Sequence, residues 1–157
     1  MIGLDTIPQN EEARLRNLEM YGILYTKPEP IFDQLAAITA TMLNAPVAMI
    51  NFVDRDRVWT KADQSGEGGH VFDRNSSLCS ITILRGCLTV FEDVTKEFFS
   101  LSVKPSVNES GMKFYAAAPI TTKDGFHIGS VCIRDRIARN FCLSEQRKLE
   151  WNSALVS

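Results

Sequence analysis

Along the chain the spacing of apolar positions changes several times, and each change marks an element. Asn10 followed by EEARLRNLEMYG reads as a capped helix over residues 11–22. It has acids in its first turn, Leu15 and Leu18 on one face, and Gly22 at the stop. TKPEP then forces an extended connection, because a residue before proline avoids the helical region. Pro30 suits the first turn of a second helix, in which Phe32, Leu35, Ala36, Thr39, Met42 and Leu43 recur at helical spacing. Val47 to Val53 is apolar almost throughout and predicts a buried central strand. Asp54-Arg55-Asp56 turns the chain, and Val58 to Lys61 begins the partner strand. QSGEGGH breaks the order, with three glycines in four residues.

The middle of the chain is less periodic. A short helix is predicted over Ser76 to Leu84, with Asn75 or Ser76 as its cap and Gly86 at its end. Leu88 to Phe91 reads as a short strand. Residues 92–112 are polar and mixed, with a short helical attempt around Lys96 to Ser100. The pattern then sharpens. Phe114 to Ile120 is a strand, Lys123-Asp124-Gly125 a turn, and His127 to Arg134 a second strand, since Asp-Gly between apolar runs is a strong hairpin signal. Ser144 is expected to cap a last helix over 144–157, which reaches the chain end without a terminator. There are no repeats and no low-complexity segment.

Adjacent strands joined by tight turns are antiparallel, so the expected class is α+β. Helices at both ends should cover one sheet face. Irregular residues 64–112 are left to cover the other, which is a natural place for a small-molecule pocket.

Composition narrows the reading. The chain has 157 residues, which fits one domain, and 45% of them are hydrophobic, enough for a core. The net charge of −2 comes from interspersed acids and bases, so no basic stripe offers a nucleic-acid surface. No apolar run reaches the roughly 18–20 residues of a membrane span, and no secretory leader is visible at the N-terminus. A cytoplasmic protein is expected. Cys79, Cys87, Cys132 and Cys142 are irregularly spaced and lie in or beside apolar segments, so reduced thiols are expected rather than disulfides.

At this point the segments YGILYTKPEPIFDQLAAITATMLNAPVAMINFVDRDRVWTKA, SLCSITIL, VFEDV and FYAAAPITTKDGFHIGSVCIRD together resemble the GAF domain. More narrowly, they resemble the GAF sensor domains of bacterial histidine kinases and cyclic-dinucleotide signalling proteins. The most specific piece is Phe114-Tyr115-Ala116-x-Ala118-Pro119, then Asp124-Gly125, then Gly129-x-Val131-Cys132. The resemblance runs from about residue 18 to 155 and implies a single GAF domain over 1–157. It implies a central antiparallel sheet of five or six strands, terminal helices on one face that often pair with a second subunit, and ligands on the opposite face. The implied role is non-catalytic sensing or relay of a signal. A homodimer through helices 11–22 and 144–157 is expected, with a kinase or cyclase output module continuing from the last helix in a longer chain.

Cys79 would lie in the first turn of the short helix with Arg74 close by, a setting that favours a thiolate. Relatives often carry a histidine two residues after this cysteine, where this chain has Ile81. Free methionine-(R)-sulfoxide reductase, a GAF-like enzyme, uses several cysteines around its pocket. Cys79 and Cys87 could mimic two of them, which makes a redox sensor or such a reductase the alternative reading. SVNESGMK, before Phe114, offers no third cysteine, and Cys132 reads as core. His70 and His127 are the only histidines, and neither has metal-ligand spacing. His70 reads as solvent-facing and His127 as an exposed strand residue. LSVKPSVNESG lacks the cysteine and histidine that bilin-binding relatives use, and no axial haem ligand is well placed. No covalent bilin, haem or metal is therefore expected, and the ligand is unknown.

Trp59, Phe72, Phe98, Phe99, Phe114 and Tyr115 could line an apolar pocket. Arg74 and Lys61 could supply cations to a phosphate, or could simply pair with Asp73 or Glu92. Thr82 and Asp93 complete the candidate lining. Alternation puts Ala116 and Ala118 on one face of their strand and Tyr115 and Ala117 on the other. Relatives often have glycine where Ala117 stands, so a pocket on that face is expected to be smaller here.

Overall fold

The computed structural model describes residues 7–96 and 112–156. Six strands form one antiparallel sheet: β1 (Val47–Val53), β2 (Arg57–Asp63), β3 (Val71–Asp73), β4 (Thr89–Phe91), β5 (Phe114–Thr121) and β6 (His127–Asp135). Their order is β3-β2-β1-β6-β5-β4. The most continuous apolar runs therefore occupy the centre, where both faces of a strand are covered. Four helices complete the fold: α1 (Glu11–Tyr21), α2 (Pro30–Met42), α3 (Leu78–Arg85) and α4 (Leu143–Val156). The expected α+β class, the central hairpins and the last helix are all present.

Two cores sit on the two faces of the sheet. On one, Leu18 of α1, Ala36 of α2 and Leu149 of α4, with Leu43 just past α2, bury against Ile50, Phe52, Ala116, Ala118, Val131 and Ile133. Each such leucine contributes about 2 kcal/mol of burial. Ala116 and Ala118 are small because α4 packs directly on β5. On the other face, Leu78, Cys79 and Ile83 of α3 bury against Met49, Val53, Val58, Tyr115, Ala117 and Cys132. The predicted alternation along β5 therefore holds.

The central pair β1–β6 needs one special residue. Gly129 lies opposite Phe52, and a β-carbon there would collide with the Asn51 carbonyl and the Phe52 α-carbon. Only hydrogen at that position lets the strands close.

Several boundaries differ from the sequence reading, each for a local reason. Asp73, not Asn75 or Ser76, caps first: its carboxylate accepts from the Asn75 amide and closes a 3-10 turn over Arg74–Ser76. Ser77 then turns extended and accepts the Cys79 amide, so α3 begins at Leu78. Gly86 ends it in the left-handed conformation at φ 67°, against the His127 ring. Asn10 makes no side-chain cap to α1, because its backbone, at φ −96° and ψ 26°, is not in the extended conformation of a capping residue. Ser144 lies inside α4; Glu145 folds back onto the Cys142 amide and starts the helix at Leu143. Strand β3 falls within the irregular stretch 64–112, since three residues show no period. The helical attempt at 96–100 falls almost wholly outside the described residues.

Candidate functional site

The α3-covered face holds a buried polar cluster inside an apolar shell. Asn51 is the one polar side chain in the middle of β1, and it is fully buried. Its amide oxygen accepts from Thr60 Oγ1 at 2.7 Å. Its Nδ2 reaches two sulfurs, Cys79 Sγ at 3.3 Å and Cys132 Sγ at 3.6 Å. Ser130 Oγ donates to Cys79 Sγ at 3.4 Å, and the Tyr115 hydroxyl approaches it at 3.8 Å. That hydroxyl also shares a proton with Thr82 Oγ1 at 2.9 Å. Arg134 lies over the Tyr115 ring at 5.6 Å. Strand register assembles the set: Asn51 pairs with Ser130, and Cys132 lies opposite Met49 on one side and Ala117 on the other.

The two thiols have opposite acidities. The Cys132 hydrogen bond, the Arg134 charge, and the donors Ser130 and Asn51 hold Cys79 well below the ordinary thiol range, against the opposing effect of burial. The same hydrogen bond, with burial and the Cys79 charge added, pushes Cys132 well above it. Burial and the nearby Cys79 charge push Tyr115 up likewise, which keeps its hydroxyl a donor. Beneath α3 the side chains of Met49, Val53, Tyr115, Ala117 and Cys132 pack into one buried cluster with the helix.

Of the sequence candidates, Cys79, Thr82, Tyr115 and Ala117 come together here, and Phe72 packs at the margin of the same cluster. Trp59 and Phe114 belong to the helix-covered core. Lys61 is likewise turned away from α3. Its ammonium binds Thr26 Oγ1 and the Lys27 carbonyl, each at 2.7 Å, and the Glu29 carboxylate at 2.6 Å. It sits between Phe32 and Trp59. The α1–α2 connection is therefore clamped to the sheet by Lys61, whose acid partner is Glu29 rather than Asp73 or Glu92. Asp93 is half-buried and holds Thr95, in an open groove with Glu92, Lys96 and Arg139. Phe98 and Phe99 lie outside the described residues. His70 is exposed beside Asp63. His127 is half-buried rather than exposed, bonded through Nδ1 to Thr121 Oγ1 at 2.9 Å.

Arg74 has a different role from a pocket cation. It is buried, and its guanidinium meets the Glu11 carboxylate at 2.5 and 3.2 Å and the carbonyls of Asp54 and Arg55 at 3.1 Å. Glu11 also takes two bonds from Arg14, at 2.8 and 3.0 Å, and Arg14 in turn caps the Val53 carbonyl at 2.7 Å. Burial would raise the Glu11 carboxyl, but the hydrogen bonds and charges of the two arginines outweigh it and lower it to about 2. A residue three positions before Ser77, the α3 cap, is thus tied to the first turn of α1.

Cys87 is exposed, in a depression with Ala118, Pro119, Thr121 and the α4 residues Glu150, Ser153 and Ala154. The thiol beside Cys79 is Cys132, not Cys87. Asn51, Thr60, Ser130, Cys132 and Arg134 were missed as site residues. The signal was present: Ser130, Cys132 and Arg134 alternate along β6 and so share one face.

Among the described residues, no cluster of histidine, cysteine, aspartate or glutamate side chains is placed to hold a metal ion, and no helix is long and apolar enough to cross a membrane. No family model matches the sequence. A cyclic di-GMP phosphodiesterase of Pseudomonas aeruginosa is 27% identical over 132 residues, 84% of this chain and 22% of that protein. The chain therefore spans about a fifth of this curated relative. Among solved structures, the GAF domain of a phosphoenolpyruvate-protein phosphotransferase from Coxiella burnetii superposes at TM-score 0.68 and 14% identity, covering 94% of this chain and 90% of that one. Free methionine-R-sulfoxide reductase from Neisseria meningitidis, in complex with its substrate, superposes at 0.66 and 15% identity, covering 92% and 84%. The chain has the fold shared by GAF domains, and its neighbours include signalling proteins.

Proposed function

We propose that this GAF-fold chain is a non-catalytic regulatory module of a cytoplasmic signalling protein, relaying the state of its α3-covered face to its terminal helices. The observation that carries the reading is the part-buried Glu11–Arg74 pair. It joins the segment leading into α3 to α1 around the end of the β1–β2 hairpin. An effector that enters the packed cluster under α3 displaces the helix, and displacement pulls on Arg74. A small ligand that prefers the displaced arrangement would then shift α1, and coupling equals the difference in its affinity for the two arrangements.

The terminal helices offer the output surface. Both flank the β5–β6 turn: Asn17 of α1 bonds Asp124, and Glu150 and Ser153 of α4 lie near Pro119 and Thr121. Trp151 and Leu155, one helical turn apart, are 62% and 73% exposed, and Met20 and Tyr21 project from the end of α1. Such apolar residues on terminal helices fit a homodimer whose helices continue toward an output kinase or cyclic-dinucleotide enzyme. The Pseudomonas relative, a cyclic di-GMP phosphodiesterase several times longer than this chain, supports that setting.

A reductase reading is less well supported, because Cys79 is enclosed and Cys87 lies beside α4. Hydrogen exchange on Glu11→Gln tests the relay. Exchange should quicken across 77–85; unchanged protection there would defeat it. Light scattering tests the dimer, which Trp151→Glu with Leu155→Glu should dissociate. A strict monomer at high concentration of the unaltered chain would remove that part of the reading.

A further inference from the structure

The α3 face could have been closed with valine and leucine, as its shell is. Instead, several buried polar side chains converge on two sulfurs. One amide, Asn51 Nδ2, lies within 3.3 Å of Cys79 Sγ and 3.6 Å of Cys132 Sγ, so it spans both atoms. The donors are unequally shared. Cys79 receives Asn51 at 3.3 Å, Ser130 at 3.4 Å and the Tyr115 hydroxyl at 3.8 Å, whereas Cys132 takes the same amide at a longer 3.6 Å and lies beside Arg134. A neutral thiol is a weak acceptor with little use for that many donors, whereas a thiolate uses all of them. Cys79 also stands in the first turn of α3, where its amide bonds the Ser77 cap. Of the two sulfurs, that of Cys79 is therefore the better placed to carry the negative charge. The two exposed cysteines, Cys87 and Cys142, lie outside this arrangement.

We propose that Cys79 and Cys132 are a buried dithiol that a hydroperoxide oxidises to an intramolecular disulfide, stapling α3 to β6. The Cys79 thiolate attacks one peroxide oxygen. The S–O bond forms, the O–O bond breaks, and the departing oxygen takes a proton as water or an alcohol. Cys132 then attacks the resulting sulfenic sulfur. The S–S bond forms, the S–O bond breaks, and the leaving hydroxide takes the Cys132 proton as water. Two thiols and one hydroperoxide give one disulfide, one alcohol (water, when the oxidant is hydrogen peroxide) and one water, with two electrons passing from sulfur to the peroxide. Both sulfurs are fully buried, so oxidation waits on opening of α3, an eight-residue helix. This inference is separate from the relay reading and does not require a second subunit.

The test is hydrogen peroxide treatment of the unaltered chain, alkylation in denaturant, and peptide mapping by mass spectrometry. A Cys79–Cys132 cross-linked peptide is expected, with both thiols lost from alkylation together and restored by dithiothreitol. In Cys132→Ala, oxidation should stop at a sulfenic acid on Cys79 that dimedone traps. In Cys79→Ala, Cys132 should stay reduced under the same treatment. Should either variant fail to fold, the mapping on the unaltered chain still decides the matter. A cross-link from Cys79 to Cys87, or an intact Cys79–Cys132 dithiol when Cys87 and Cys142 are already oxidised, would overturn the proposal.

Discussion

Replacing Glu11 by glutamine removes one charge and keeps the shape. In the native chain the Glu11 carboxyl is held at about 2, against a usual 4.5, by Arg14 and Arg74. At about 1.4 kcal/mol per tenfold change, that preference is worth at most about 3.5 kcal/mol. The Glu11 side chain retains 12% exposure, and water screens part of the charge. Allowing for screening leaves roughly 2 kcal/mol at pH 7. The sign follows from the direction. A carboxyl depressed by folding contributes fully above its unfolded value of about 4.5, and loses its contribution as the pH falls through about 2. Urea unfolding should therefore show Glu11→Gln destabilised by roughly 2 kcal/mol at pH 7. The difference should shrink to about half or less at pH 3, where the native carboxylate has lost much of its advantage. A penalty below about 0.5 kcal/mol at pH 7, or one that stays constant between pH 7 and pH 3, would refute the claim that two arginines hold this charge.

Other substitutions probe the parts that frame the site. Gly129→Ala places a carbon against the Asn51 carbonyl, a backbone atom that cannot yield, so a loss of about 3 kcal/mol or failure to fold is expected in the same unfolding assay. A near-neutral result would mean that β1 and β6 are not so closely apposed. Asn51→Leu leaves the Thr60 hydroxyl without its acceptor and removes the amide from both sulfurs, for about 2 kcal/mol. It should also raise the alkylation rate of Cys79 in the folded protein, and a rate equal to that of the unaltered chain would count against the network. Lys61→Met unfastens the α1–α2 connection from Thr26, Lys27 and Glu29, so chymotrypsin should cut faster at Tyr25 while the unfolding midpoint moves little. Unchanged cleavage would show that the connection is held by other contacts.

Much of the architecture was legible because it rests on short-range periodicity. VAMINFV is apolar on both faces, and only a central strand can bury that pattern. Lys123-Asp124-Gly125 fixed the second hairpin through turn chemistry that needs no distant partner. The candidate site was only half legible. Cys79, Tyr115 and Ala117 were found because a motif or strand alternation placed them. Lys61 and Arg74 were assigned to a pocket because charge near a loop looks available; both are consumed by acids far away in sequence, Glu29 and Glu11. No local pattern announces a partner 63 residues away.

The amino-acid sequence alone determined the long elements, the antiparallel sheet, the helix-covered face and which side of β5 each alanine takes, because period and turn residues act over a few positions; β3, three residues long, lay below that signal. Tertiary structure decided which cysteines are neighbours. Cys79 and Cys87 are close in sequence, yet α3 turns one sulfur inward, while Gly86 ends the helix and leaves the other exposed. Cys79 and Cys132 come together through the packing of α3 on β6, and Asn51 reaches both through the β1–β6 register. Register and packing are properties of the assembled sheet, so the pairing of thiols, and the chemistry it permits, exists only once the chain has folded.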